Sequence, residues 1–296
     1  MASHRKPVVV GIDGSAIALQ AVRQAARRAG RDRVPLRLVH MYELPFGFPS
    51  GLPEEESILN ALRRAGRRRL GEAREVATSV VPGLEVDTEL AAMPVSTGLL
   101  RESEDASVLF LGNRGHNPLA GLLVGSTALG LAGHAHCPVV LTRGGADVAP
   151  GTGPVVVGVD GTQASEAAVA FAFAEAAAED ATLVAVHAYA ESVFDTAFPG
   201  VEMDLDWQRQ RELAEETLGE RLAGWQEKYP QVRVERDVVR DRPTRALRRC
   251  AQTARLVVVG RRGRGGFRDL VLGSTSQQLL HHAICPVAVV RNETIE

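Results

Sequence analysis

Two glycine-rich stretches carry residue types and spacings that can do chemistry. Residues 260–275 read GRRGRGGFRDLVLGST, and residues 112–127 read GNRGHNPLAGLLVGST. Both follow the order Gly, two residues, Gly, nine residues, Gly-Ser. The positions are Gly112, Gly115, Gly125 and Ser126 in the first copy, and Gly260, Gly263, Gly273 and Ser274 in the second. Glycine lets backbone approach a phosphate closely, and a helix start offers unpaired N–H groups at the positive end of a dipole. Ser126 and Ser274 stand where a helix should begin and are expected as N-caps. Two glycine turns followed by a helix start suit a di- or triphosphate better than a carboxylate. A tight turn is the competing reading of such glycines, but recurrence at one spacing favours a site. The second copy adds Arg261, Arg262, Arg264 and Arg268, against Arg114 and His116 in the first. It is therefore expected to hold a polyphosphate more tightly. No GxxxxGK[ST] motif occurs, so no P-loop lysine is available to a transferring phosphoryl group.

The elements that must position these residues are written twice. VVVGIDGS at 8–15 returns as VVVGVDGT at 155–162, and LVHMY at 38–42 as AVHAY at 185–189. CPVVLTR at 137–143 returns as CPVAVVR at 285–291. A Gly/Pro-rich joint, RGGADVAPGTGP at 143–154, separates the copies, so domains over 1–146 and 152–296 are expected. In the second copy, strands are predicted at 155–160, 182–188, 232–239, 256–260 and 287–291. Helices are predicted at 165–179, 206–229, 244–253 and about 274–282. Continuous apolar strands alternating with helices imply an α/β fold: two tandem, doubly wound, five-stranded parallel sheets of Rossmann-like type. Ligands of such sheets sit beyond the carboxyl ends of the strands.

Bulk composition narrows the partners. The 296 residues are 45% apolar, 24% charged and only 4% aromatic, with a formal net charge of −2. No global field draws the chain to nucleic acid, and few aromatic rings are available to stack bases. No apolar run reaches the ~18 residues of a membrane span. Three scattered cysteines do not make a disulfide framework, and a cytoplasmic location is expected. Asp13 and Asp160 precede Gly and Ser or Thr, a turn signature as well as a place for ligand contact. His134, His136 and Cys137 supply at most three zinc ligands and are read as structural. The basic run ALRRAGRRRL at 61–70 is read as a solvated helix face, offset by Glu54, Glu55, Glu56, Glu72 and Glu75. His40 and His187 are read as packed, hydrogen-bonded strand residues. No catalytic constellation can be assembled, so no catalytic residue is expected.

Together, the Asp after the first strand, the His near the end of the second and the G-x2-G-x9-G-[ST] stretch resemble the universal stress protein family, over essentially the whole chain. LAGWQEKYP and VVRDRPTRAL resemble the actinobacterial tandem members, and the glycine motif resembles the family's ATP-binding branch. The resemblance implies an ATP site in each domain, with Mg²⁺ as a possible companion. It puts Asp13 and Asp160 beside adenosine and phosphates, and the backbone of Met41 and Ala188 against adenine. The phosphate and ribose cradle would be Gly112, Gly115, Gly125, Ser126 and Thr127, and then Gly260, Arg261, Gly263, Arg264, Gly273, Ser274 and Thr275. The family's G-x-P turn is altered to Ala92-Met93-Pro94 and Asp241-Arg242-Pro243. The resemblance further implies a regulatory module in stress responses, pairing of the two last strands in a pseudo-dimer, and homodimers. A slow ATPase or a nucleotidyl-transfer enzyme is the alternative.

Overall fold

The computed structural model describes residues 5–44, 55–113, 124–143, 153–189, 206–263 and 271–292. The chain divides into two compact units, Met1–Gly144 and Gly145–Glu296. In the first unit the elements run β1 (Val8–Gly11), α1 (Ala16–Asp32), β2 (Leu36–Tyr42), α2 (Glu55–Val80) and β3 (Val86–Ala92). They continue with α3 (Val95–Glu102), β4 (Val108–Gly112), α4 (Ser126–His134) and β5 (Val139–Thr142). The strand order is β3-β2-β1-β4-β5, and every neighbouring pair is parallel.

The second unit runs β6 (Val155–Gly158), a 3-10 turn (Gln163–Ser165), α5 (Glu166–Ala178), β7 (Leu183–Tyr189) and α6 (Trp207–Lys228). It ends with β8 (Val234–Arg240), α7 (Pro243–Cys250), β9 (Leu256–Gly260), α8 (Ser274–His282) and β10 (Val287–Val290). The order β8-β7-β6-β9-β10 repeats the first unit, again wholly parallel. Strand order therefore reverses between β1 and β4, and between β6 and β9. Both glycine stretches leave the strand on one side of that switch point, and both aspartates leave the strand on the other.

Small apolar residues explain how these layers close. On α1, Ala18, Ala21, Val22, Ala25, Ala26 and Ala29 are buried, the 3.6-residue stripe of a helix lying on a sheet. The helix ends where Arg33 turns left-handed at φ 54° and its N–H caps Ala29 and Gly30 carbonyls. In the second unit a larger cluster joins α5 to α6, with Phe173 stacked on Trp225 and Tyr229 at centroid distances of 6.3 and 5.9 Å.

Helix α2 lies close against its sheet at Gly66. A Cβ there would stand 2.6 Å from Leu90 Cδ1 and 2.7 Å from His40 Cδ2. Alanine gains about 1 kcal/mol of helix propensity over glycine, but overpacking of a close contact costs about 1–3 kcal/mol. Gly66→Ala is therefore expected to lower the stability of the first unit by about 1 kcal/mol, read as a lower urea midpoint in chemical denaturation. The second unit has buried Ala214 at the corresponding place and has made the room.

Candidate functional site

Each site grows from the end of the unit's first strand. Gly14 and Gly161 take positive φ values of 86° and 77°, which swing the chain from strand to helix. Asp13 Oδ1 accepts the Ser15 N–H at 2.8 Å. Asp160 Oδ1 accepts both the N–H and the hydroxyl of Thr162, each at 2.8 Å. The turn reading of these carboxylates is thus realised, but it occupies only one oxygen. The other oxygen of Asp160, Oδ2, is buried and meets no hydrogen-bond partner among the described residues. It points at the second glycine stretch: a Cβ on Gly263 would lie 3.2 Å from it.

The glycines close around that oxygen for backbone reasons. A Cβ on Gly260 would meet the Arg262 and Ala164 carbonyls at 3.1 and 3.2 Å, and one on Gly273 would meet Arg261 O and Arg262 Cα at 3.4 Å. The Gly273 N–H donates to Arg261 O at 2.8 Å, and Ser276 Oγ–H donates to Gly260 O at 2.7 Å. The structure therefore brings Asp160, Gly260, Arg261, Gly263, Gly273, Ser274 and Thr275 to one sheet end. Burial, then the neighbouring charges of Arg262 and Arg291, hold the Arg261 guanidinium below its ordinary pKa. Cationic charge is concentrated here, where an anion would relieve it.

The first unit repeats the frame with different side chains. Gly112 ends β4, and the Gly125 N–H donates to Asn113 O at 3.1 Å. Asn113 occupies the place of Arg261; it is buried, and its Oδ1 meets no partner among the described residues. Gly115 and Arg264, with Arg114, His116 and Arg268, lie outside the described residues.

Two sequence expectations need correction. Ser126 and Ser274 are not N-caps. The caps are Gly125 and Gly273, with extended φ/ψ of −64°/146° and −66°/148° and no side-chain capping bond. The serines are the first helical residues, with Thr127 and Thr275 next. The backbone bonds from Gly125 and Gly273 to the preceding strand set this register, and they leave the first-turn N–H groups without a capping side chain. Met41 and Ala188 also do not end their strands, which run on to Tyr42 and Tyr189. Ladder alternation turns their peptide groups toward β1 and β6. They lie beyond the last cross-strand bonds, Ile12 N–H to Val39 O and Val159 N–H to Val186 O, at 2.8 and 2.9 Å. Both peptide groups thus face the crevice at the switch point.

A family model described as the universal stress protein family matches residues 4–143 and again 152–291. The chain belongs to the universal stress protein family. It is 40% identical over 289 residues to a universal stress protein of Mycobacterium tuberculosis strain H37Rv, covering 96% of each chain. A universal stress protein of Mycolicibacterium smegmatis is 38% identical over 289 residues, again with 96% of each covered. Among solved structures, a universal stress protein from Archaeoglobus fulgidus superposes with a TM-score of 0.67 at 17% identity. That match covers 96% of this chain and 98% of the other and shows the fold.

Both universal stress protein domains contain supports that sequence reasoning missed. His40 Nδ1–H donates to Ile12 O at 2.6 Å, and His187 Nδ1–H to Val159 O at 2.7 Å. The packed reading of these histidines holds, and each one secures the carbonyl just before the site aspartate. Burial, with a further contribution from Arg69, holds the His40 ring below its ordinary pKa. An arginine from the long helix also lies on each Asp-Gly turn. Arg221 Nε–H donates to Gly161 O at 3.1 Å, and Arg69 packs against Gly14 with its Nη1 3.4 Å from His40 Nε2. The two arginines are 152 residues apart, off the repeat spacing of 147–148, so aligning the two copies does not pair them. Among the described residues no group of three or more His, Cys, Asp or Glu is placed to hold a metal, and no helix is long and apolar enough to cross a membrane.

Proposed function

We propose that each unit, taken as a domain over 1–146 and 152–296, binds one ATP and that nucleotide occupancy is the signal this regulatory protein transmits. The observation that carries this reading is the second site. There a buried carboxylate oxygen of Asp160 has no donor among the described residues and faces a backbone cradle that a Cβ at Gly260 or Gly263 would crowd. A ribose hydroxyl or a cation bridging to phosphate would complete that oxygen; Mg²⁺ fits, since its sites commonly join one carboxylate to phosphate oxygens. The uncapped first turn of α8, at Ser274 and Thr275, supplies N–H donors for phosphate. The peptide groups of Met41 and Ala188 offer the donor and acceptor pair that an adenine edge requires. In the first unit Asp13, Gly112, Gly115, Gly125, Ser126 and Thr127 take the corresponding roles. The protein works in the cytoplasm as a homodimer on this reading. The direct test is to heat-denature the purified protein and identify released nucleotide by chromatography, alongside titration with ATP. Adenine nucleotide in the supernatant, or binding on titration, is the expected result. Neither release nor binding would defeat the proposal.

A further inference from the structure

We propose that the groove between α2 and the edge strand β3 of the first unit docks an extended acidic segment of a partner protein. It is a separate place from the nucleotide site. The groove has a volume of about 440 Å³ and is lined by Arg63, Arg67, Arg74, Thr88 and Leu90, with Leu70 in its floor. At 100° per residue, positions 63, 67 and 74 fall within about 40° of one another, so the three arginines form one stripe about 16 Å long. Arg63 donates to the Tyr42 hydroxyl and Asn60 Oδ1, at 2.8 and 3.3 Å, and Arg74 donates to Val86 O at 2.7 Å. All three acceptors are neutral. Among the described residues no carboxylate pairs with Arg63, Arg67 or Arg74, so the compensation expected from Glu72 and Glu75 is not made there.

The protein supplies its own comparisons. In the second unit, at offset 148, the corresponding pair is Arg211 and Glu215, joined at 2.8 Å. The first unit has Arg67 where that glutamate would be, and like charges four apart cost a helix about 0.2–0.5 kcal/mol. The second unit also fills the space. A Cβ on Gly219 would lie 3.3 Å from Arg236 Nη1, whereas one on the corresponding Gly71 would have nothing within 4 Å. On the other face of the first sheet, Arg37 is neutralised by Glu102 and Glu89, at 2.7 and 3.2 Å. Among the described residues, the arginine stripe of this groove thus lacks the carboxylate partners that Arg211 and Arg37 have.

Edge geometry selects the occupant. The Leu36 N–H donates to Glu85 O at 2.9 Å, so alternate residues of β3 bond to β2, and Val86, Thr88 and Leu90 turn their peptide groups outward. Arg74 caps the Val86 carbonyl. Among the described residues the peptide groups of Thr88 and Leu90 have no outward backbone partner, and strand addition is a general mode of peptide recognition. Alternate side chains of an added strand repeat at about 6.7 Å, close to the roughly 6 Å rise from Arg63 to Arg67. A nucleic acid has no groups to complete a strand ladder.

The test is fluorescence anisotropy of the full chain with a labelled peptide of alternating glutamate and threonine, at about 50 mM salt, where exposed charges are weakly screened. The peptide should bind, and saturating ATP should not displace it. Arg67→Glu recreates the second unit's ion pair, so it should keep or raise the melting temperature while weakening binding at least fivefold. Arg68→Glu, an equal charge change on another face of α2, should stay within twofold. Gly71→Leu, which fills the groove without changing charge, should weaken binding as Arg67→Glu does. No binding by the unmodified chain, equal losses for Arg67→Glu and Arg68→Glu, or displacement by ATP would overturn the docking site. Tighter binding of a single-stranded oligonucleotide with the same Arg67→Glu dependence would overturn the peptide assignment. None of these results bears on whether ATP occupies the glycine sites.

Discussion

Gly263→Glu is expected to lower the ATP affinity of the second unit by at least about 100-fold while the first unit keeps its own. The added side chain begins 3.2 Å from Asp160 Oδ2 and carries a second carboxylate toward a buried one that has no donor among the described residues. The added carboxylate would also stand against bound phosphate: two unit charges about 4 Å apart at an effective dielectric of 20 repel by about 4 kcal/mol, and about 2.7 kcal/mol is already 100-fold. Space acts in the same direction, because the side chain enters the volume the phosphates need. Gly263 is not among the described residues with positive φ, so the loss would come from charge and volume rather than from backbone strain. Calorimetric titration of this variant beside Gly115→Glu checks the claim and its asymmetry. The second site has Arg261 where the first has buried Asn113, so its removal should delete the tighter event. An unchanged two-site isotherm, or a larger loss from Gly115→Glu, would refute the assignment.

The readable parts of this fold were those governed by local pattern. Val-rich runs such as Val155–Gly158 and Val8–Gly11, whose valines are all buried, could only be sheet interior between helices, and the duplication doubled the signal. Element ends were less legible where the deciding bond is long-range. Gly-Ser at 125–126 and at 273–274 presents two adjacent capping candidates, and Ser is the stronger by type. The bonds from Gly125 to Asn113 and from Gly273 to Arg261 move the boundary by one residue. The site followed the same division. Glycine spacing and the aspartates were visible as sequence, whereas Arg69 and Arg221 were not. Their roles depend on how a 26-residue and a 22-residue helix are phased over a distant turn, and no local spacing encodes that phase. The arginine stripe of α2 was visible as composition, but neutralisation by Glu72 and Glu75 is a matter of three-dimensional pairing. The reading of a solvated face holds, since Arg63, Arg64, Arg67 and Arg68 are exposed, but among the described residues no carboxylate pairs with Arg63, Arg67 or Arg74.

Asp160→Asn separates the two roles that one carboxylate holds. An asparagine keeps an oxygen where Oδ1 accepts from the Thr162 N–H and hydroxyl, so the turn into α5 survives. At the Oδ2 position it places an N–H₂ group, a donor where the cradle needs an acceptor. Hydrogen bonds to a charged partner contribute about 1.5–3 kcal/mol, so ATP affinity at the second site should fall by about 10- to 100-fold. Stability of the nucleotide-free protein should move the other way or not at all. The substitution removes a buried charged oxygen that has no partner among the described residues, and such a group costs the folded state. Opposed changes in affinity and in denaturation midpoint are the signature of a residue held for its ligand. Were Asp160 only a turn former, affinity would stay within twofold, because asparagine keeps the oxygen that makes the turn.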